Sequence, residues 1–356
     1  MSTPWQPLIR RLSELGYFQT YRTFGDGNLR TWDWDYTAGL LSGEAEKAWR
    51  FLLCRERLSR TDAVRILGLT ALTAMLATGV CRETKAGVSL GKCSLISYQG
   101  NPYFVEISPE PRSMLTEDSK AVISTIPGPD FRSCLSLYSG GGVECLGLNH
   151  QPDRRVVQVH PEADVRFIQA NWELNGCTSA LEIHRDFKLK KTGDFDLILA
   201  RIPCWSLPEK LGREMYCAGG ADGLREVARC FKFVKPRLAP EGVFGFSCLL
   251  YGEESLASAW TKLTGLAEAH GLHLTAVCSS RQGLEPGIPL FGHLLSFLQY
   301  RTKAGTKELL EGLLNHFGEH RMSHVHFLRA TARAAGGSPA HSLVDLSERY
   351  YGNWSI

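Results

Sequence analysis

The segment Leu135 to Leu148, LSLYSGGGVECLGL, is an apolar run that stops at three consecutive glycines and resumes immediately. Glycine loses the most conformational freedom on folding, so a chain keeps three together where its backbone must turn sharply or be approached closely. A strand that turns through glycines into a helix belongs to open α/β sheets. Ligands lie against such turns, at the carboxyl ends of the strands and near a helix N-terminus. From Cys134 onward the pattern agrees. Candidate strands are CLSLY at 134–138, VVQVH at 156–160, ALEIH at 180–184, FDLILA at 195–200, GVFGFSCLL at 242–250, LHLTAVCS at 272–279 and HVHFLRAT at 324–331. Helical segments such as ADGLREVARCFKFVKPRL and EESLASAWTKLTGLAEAHG fall between them. This alternation predicts a doubly wound parallel sheet. Residues 281–322 interrupt it with a Gly/Pro-rich loop and a helix, KELLEGLLNHFG, read as an insertion before the last strand.

The upstream part has a different rhythm. Between Glu44 and Gly79 apolar residues recur at helical spacing, with Ser59 and Thr70 placed as N-caps and Gly68 and Gly79 as stops, which predicts three short helices. Residues 80–108 predict two or three strands broken by Gly87, Gly91 and the Gly100-Asn101-Pro102 turn. Helices followed by a β-ribbon describe a helical, winged-helix-like module over 1–112, with the α/β domain over 113–356. The module's helices mix Arg and Lys with Glu and Asp, so nucleic acid is not the expected partner.

Composition excludes several classes. The 40 basic and 37 acidic residues leave a net charge of +3, which gives no pull towards nucleic acid or an anionic membrane. No apolar stretch of about 18 residues exists and the first residues lack a secretory signal, so a cytoplasmic protein without a membrane span is expected. The eleven cysteines are scattered and never spaced C-x-x-C, which points to reduced, buried thiols. GVSLGKCS at 87–94 misses the phosphate-loop spacing, and there is no G-x-S-x-G elbow. His324 and His326 share a strand face without a third ligand nearby, while Cys145 and Cys204 read as core.

Four motifs arrive in an order that resembles the class I S-adenosylmethionine-dependent methyltransferases, in the branch with an N-terminal helical module and an N-P-P-Y/F motif. LSLYSGGGVECLGL is similar to that branch's LDLxxGSGVxxL, RFIQANWELNG at 166–176 to its A-x-x-N-A-x-x-N-G, FDLILARIPCW at 195–205 to FDLIVANPPF, and AGGADGLREV at 218–227 to its Gly-Gly-x-Asp-Gly-Leu segment. The resemblance covers about residues 115–250. It implies a Rossmann-like sheet of seven strands, the last antiparallel, with S-adenosylmethionine as cofactor. Its carboxylate end would lie over Ser139, Gly140, Gly141 and Gly142, and its adenosine near His160, Glu162 and Asp186.

The departures from that pattern are chemical. His160 stands where the family has an acid for the ribose hydroxyls, and an imidazole makes one such bond where a carboxylate grips both. Ser136 replaces the first-motif acid. Arg201 and Ile202 replace the Asn and first Pro of the fourth-strand motif, Pro203 survives, and Trp205 sits one position beyond the expected aromatic. A guanidinium has donors and no acceptor, so it cannot receive a proton from an amide or purine amine; it suits a carboxylate clamp. Tyr138, Trp172 and Trp205 could offer ring faces to a sulfonium, an interaction of about 0.5–2 kcal/mol.

Three functional readings follow. The first is methyl transfer to a small, carboxylate-bearing molecule, with Arg201, Trp205 and Tyr138 as the catalytic set. The second is consumption of the cofactor alone, by intramolecular cyclisation or elimination that releases methylthioadenosine, a plan similar to azetidine-2-carboxylate synthases. The third is a pseudoenzyme whose N-terminal module binds a partner.

Overall fold

A computed structural model describes residues 4–23, 31–107, 115–126, 128, 131–146, 155–160, 165–187, 189, 195–212, 215–336 and 341–348. The chain opens with helices α1 (Gln6–Glu14), α2 (Tyr17–Thr23), α3 (Thr31–Leu40), α4 (Gly43–Leu52), α5 (Arg60–Leu67) and α6 (Leu69–Ala77). Strands β1 (Arg82–Thr84), β2 (Gly87–Ser89), β3 (Cys93–Tyr98) and β4 (Asn101–Glu106) follow. Next come α7 (Glu117–Ser124), β5 (Ser133–Leu137), α8 (Val143–Leu146), β6 (Arg155–Val159), α9 (Val165–Leu174), β7 (Ala180–His184) and β8 (Phe195–Arg201). The rest is β9 (Trp205–Ser206), α10 (Glu209–Gly212), β10 (Ala218–Gly220), α11 (Arg225–Val234), β11 (Leu238–Gly252), α12 (Ala257–Ala269), β12 (Leu272–Gly283), α13 (Pro289–Thr302), α14 (Thr306–Glu319), β13 (His324–Ala334) and β14 (Ser342–Asp345).

These elements form two compact units. The first comprises Met1–Leu115, Gly140–Asp153 and Glu162–Ala180; the second comprises Thr116–Ser139, Arg154–Pro161 and Leu181–Ile356. In the first unit the three expected helices over 44–79 are α4, α5 and α6. The Ser59 hydroxyl accepts the Asp62 N–H at 3.0 Å and caps α5. Gly68, at φ +82°, ends α5 and also begins α6, so Thr70 lies inside the helix rather than at its cap. The ribbon has four strands in two antiparallel hairpins, β1–β2 and β3–β4, rather than two or three. Gly87 is required because the Leu58 carbonyl fills the place of its Cβ, where Leu58 and Val88 exchange backbone hydrogen bonds.

The second unit is built on one mixed sheet in the order β14-β12-β13-β11-β8-β5-β6-β7. It has eight strands, not seven. The additional strand, β14, pairs parallel to β12 at the sheet edge and is short and mostly exposed, so no apolar pattern announces it. β13, the last of the seven expected strands, runs antiparallel to both β11 and β12. On one face α11 packs Phe231 against Phe244 and Phe246 of β11. On the other, Thr125 after α7 occupies the space that a Cβ on Gly245 would need. Residues 281–322 hold the end of β12 and two helices, α13 and α14, where a loop and one helix were expected. Pro289 starts α13, where its missing N–H has no intrahelical partner to lose. Among the described residues no helix is long and apolar enough to cross a membrane.

Candidate active site

The strand order reverses at β5: β6 and β7 lie to one side of it, β8 and β11 to the other. Ligands of open α/β sheets bind beyond the carboxyl ends of the strands at such a reversal. β5 ends at Leu137, and Tyr138 then takes a left-handed backbone at φ +61°. Its N–H donates to the Val159 carbonyl at 2.8 Å and its hydroxyl to Glu226 Oε2 at 2.8 Å. Burial, reinforced by the Cys230 thiol and the Glu226 carboxylate, pushes the phenol well above its ordinary range. The Tyr138 ring rests on Phe187 at 5.2 Å between centroids, and the Arg229 guanidinium lies 4.5 Å from the Phe187 ring centre.

Ser139 is buried. His160, directly after β6, is buried and donates its backbone N–H to the His184 carbonyl at 3.0 Å. Asp186 is exposed, two residues beyond β7. The sheet thus collects Tyr138, Ser139, His160 and Asp186 at neighbouring strand ends. Glu162 lies outside the described residues.

Gly140, Gly141 and Gly142 continue the chain into the first unit, and all three are buried. Only Gly142 uses the left-handed region, at φ +74°. Its carbonyl accepts the Cys145 N–H at 3.2 Å. The Gly141 carbonyl accepts Asn171 Nδ2 at 3.0 Å, a contact that the motif around Asn171 did not disclose. Trp172 is buried in the same unit, its indole N–H donating to the Ser179 carbonyl at 3.3 Å.

At the end of β8, Arg201 pairs in register with Ser247 of β11. Its half-buried guanidinium donates to Thr116 Oγ1 at 3.4 Å. The same hydroxyl caps α7 by accepting the Ser119 N–H at 3.3 Å. Cys204 Sγ accepts the Leu249 N–H at 3.0 Å, and burial pushes its thiol well above the usual range, which leaves it a poor nucleophile. Trp205 donates its backbone N–H to the Cys217 carbonyl and packs its ring 6.1 Å from Phe297 of α13. Ser206 is fully buried, with Oγ 2.6 Å from the Ala221 carbonyl and 3.0 Å from His316 Nε2.

The AGGADG segment braces this loop. A Cβ on Gly219 would lie 2.7 Å from Cys204 Cα, and one on Gly223 would lie 2.7 Å from the Cys204 carbonyl oxygen. Sequence reasoning missed Thr116, Glu226 and His316. His326 is buried with Nε2 3.0 Å from the Glu253 carbonyl, and no cluster of three metal-ligating side chains exists among the described residues.

No known family's sequence pattern matches the chain, and neither does any curated protein. Among solved structures it is similar to TYW2 of M. jannaschii in complex with AdoMet at 11% identity, over 68% of this chain and 87% of that one, with a TM-score of 0.39. It is similar to the precorrin-6y C5,15-methyltransferase of Geobacter metallireducens GS-15 at 14% identity, over 61% and 87%, with a TM-score of 0.34. The O-methyltransferase TomG of Streptomyces achromogenes, in complex with SAM, gives 11% identity over 63% and 82% at a TM-score of 0.34.

Proposed function

We propose that this chain is a cytoplasmic enzyme that binds S-adenosylmethionine and transfers its methyl group to a small, carboxylate-bearing molecule. The observation that carries the reading is the reversal of strand order at β5, followed at once by the Tyr138 turn and the glycine segment. The donor set fits the cofactor chemically. Bare backbone at Gly140–Gly142 suits its amino-acid end, Asp186 can accept from an adenine amine, and His160 can bond one ribose hydroxyl. Among the described residues the buried Ser136 hydroxyl has no hydrogen-bond partner, which suits a water-bridged amine. When bound, the cofactor supplies an electrophilic methyl carbon on a sulfonium. The chain's part is to align the acceptor and exclude water, with Arg201 as carboxylate clamp and the Tyr138 and Trp205 rings as apolar walls. Eleven free cysteines support a reducing compartment. The helix-then-hairpin order of α4 to β4 supports an accessory winged-helix-like module, and the mixed charges of its helices give no pull towards nucleic acid.

Arg201 also favours a second reading. Arg201 offers donors where the resembled motif has an acceptor Asn, and a reaction with no second substrate needs no such acceptor. The cofactor's α-ammonium would first lose a proton to solvent; the free amine nitrogen would then bond to its own γ-carbon as the C–S bond breaks, methylthioadenosine would leave, and the ring nitrogen would remain as a secondary ammonium. Incubating the purified protein with S-adenosylmethionine alone, followed by mass spectrometry and calorimetry, separates the cases. Bound but intact cofactor supports methyl transfer, and methylthioadenosine supports consumption of the cofactor by cyclisation or elimination. No detectable binding overturns both in favour of a pseudoenzyme.

A further inference from the structure

Asn171 of α9 is completely buried, and its amide makes three hydrogen bonds. Oδ1 accepts the Phe104 N–H at 2.7 Å, while Nδ2 donates to the Phe104 carbonyl at 3.0 Å and to the Gly141 carbonyl at 3.0 Å. The amide thus pairs with the outer edge of β4 as a neighbouring strand would, and its second N–H reaches the glycine turn. Directly after α9, Asn175 donates Nδ2 to the Pro102 carbonyl at 2.8 Å and to the Asn171 carbonyl at 2.8 Å. Trp5 stacks on Phe104 and donates its indole N–H to Glu173 Oε2 at 3.1 Å. The contacts to Phe104 and Pro102, and the Trp5 bridge, join the β3–β4 hairpin to α9 and its C-terminal end. Among them only Asn171 also touches the turn.

We propose that Asn171 is a positioning residue for cofactor binding. It holds the Gly141 carbonyl against the edge of β4, and through it the N-terminal hairpin sets the shape of the turn that receives S-adenosylmethionine. The inference rests on reading that turn as a cofactor contact. The position needs one acceptor and two donors at once, which a carboxamide supplies and neither a carboxylate nor an apolar group does. An aspartate would face two carbonyl oxygens with acceptors of its own. An alanine would leave three buried backbone groups unpaired. Because coupling is reciprocal, whatever Asn171 contributes to binding must be returned by the cofactor to the Asn171–Phe104 pair.

The test compares Asn171→Asp and Asn171→Ala with Asn175→Ala in the full chain, by calorimetric titration with S-adenosylmethionine and by thermal unfolding. All three lower the melting temperature, since each loses a hydrogen bond to β4 or more. Only the Asn171 variants should lose affinity, by about tenfold or more, with Asn175→Ala staying within about twofold; a tenfold loss matches about 1.4 kcal/mol. An Asn171→Asp variant that binds within about twofold of wild type overturns the inference while the cofactor reading stands. A wild type that binds no S-adenosylmethionine overturns both. If neither Asn171 variant folds, hydrogen exchange on the wild type decides. Saturating cofactor should slow the Phe104 amide more than the amides of β1, and equal slowing overturns the coupling.

Discussion

Tyr138 and Glu226, 88 positions apart in the chain, are joined by a 2.8 Å hydrogen bond from the phenol to the carboxylate. The bond ties the turn after β5 to the first residues of α11. It also helps hold Tyr138 in a left-handed backbone that costs a non-glycine residue about 1–2 kcal/mol. Glu226 keeps other partners if the phenol is removed, because Arg225 Nε and Arg229 Nη1 lie at 3.3 and 3.4 Å. Tyr138→Phe should therefore lower stability by only about 0.5–1.5 kcal/mol. Glu226→Ala takes away the phenol's charged acceptor, leaves it only the weak Cys230 thiol, and should cost more, about 1–3 kcal/mol. Urea unfolding of the two variants checks the order. Cofactor affinity should follow the ring rather than the hydroxyl, nearly unchanged in Tyr138→Phe and reduced in Tyr138→Ala.

Arg201 is tethered to Thr116 by a single long bond and is half-buried, so its removal should change stability by less than about 1 kcal/mol. Its value under the proposed function lies with a substrate carboxylate. Arg201→Ala should lower kcat/KM by about 2–4 kcal/mol, roughly 30- to 1,000-fold. Arg201→Lys keeps the charge but loses the planar fork, and should recover only part of that loss. Steady-state kinetics with candidate acids, and methylthioadenosine release without any acid, give the readouts. Full turnover of Arg201→Ala in both assays would remove the end of β8 from the active site.

Much of this architecture was legible because strands announce themselves locally. FDLILA and GVFGFSCLL are apolar runs bounded by breakers, and the structure extends them only to Phe195–Arg201 and Leu238–Gly252. What escaped had no local signature. β14 is four residues on an edge, where neither face is buried enough to impose alternation. α13 begins with a proline and carries Gly292, so PLFGHLLSFLQYRT looked like loop, although both residues are harmless where they stand. The partners of the site residues were hidden for a different reason. Thr116 lies 85 positions from Arg201 and His316 lies 110 from Ser206. Only the completed fold brings such pairs together, and no spacing rule covers them.

Glycine substitutions separate tight backbone approach from mere helix content. At Gly219 a methyl group would meet the Gly223 carbonyl and Cys204 Cα, and at Gly223 it would meet the Cys204 carbonyl and the Tyr251 ring in a residue at φ +77°. None of those backbone neighbours can swing aside, so Gly219→Ala should lose about 1–3 kcal/mol from overpacking, and Gly223→Ala about 1–2 kcal/mol more from left-handed strain. Gly265, inside α12, has open space around its Cβ position. Gly265→Ala should instead gain about 0.5–1 kcal/mol through helix propensity. Chemical denaturation of the three variants gives opposite signs if the AGGADG segment braces the loop after β8 as described.

Stability should fall on the alkaline side because of buried thiols. Burial pushes Cys93 and Cys278 from an ordinary value of 9.0 up to about 12, and both residues are at most 1% exposed. Cys93 Sγ also lies 3.1 Å from the Val80 carbonyl and 3.0 Å from the Leu90 carbonyl, so a thiolate there would face two oxygens. Below pH 9 both thiols are protonated whether the chain is folded or not, and their contribution is fully present. Above pH 9 the unfolded chain releases these protons while the folded chain holds them. The unfolded state then binds fewer protons, and stability drops by about 1.4 kcal/mol per pH unit for each such thiol until the pH passes about 12. Urea midpoints between pH 8 and pH 10.5 should decline accordingly. Cys93→Ala should be less stable at pH 8 for want of packing, yet its decline with pH should be shallower by about one thiol's share. A decline as steep as that of the wild type would mean that Cys93 ionises in the folded chain as readily as it does in the unfolded one.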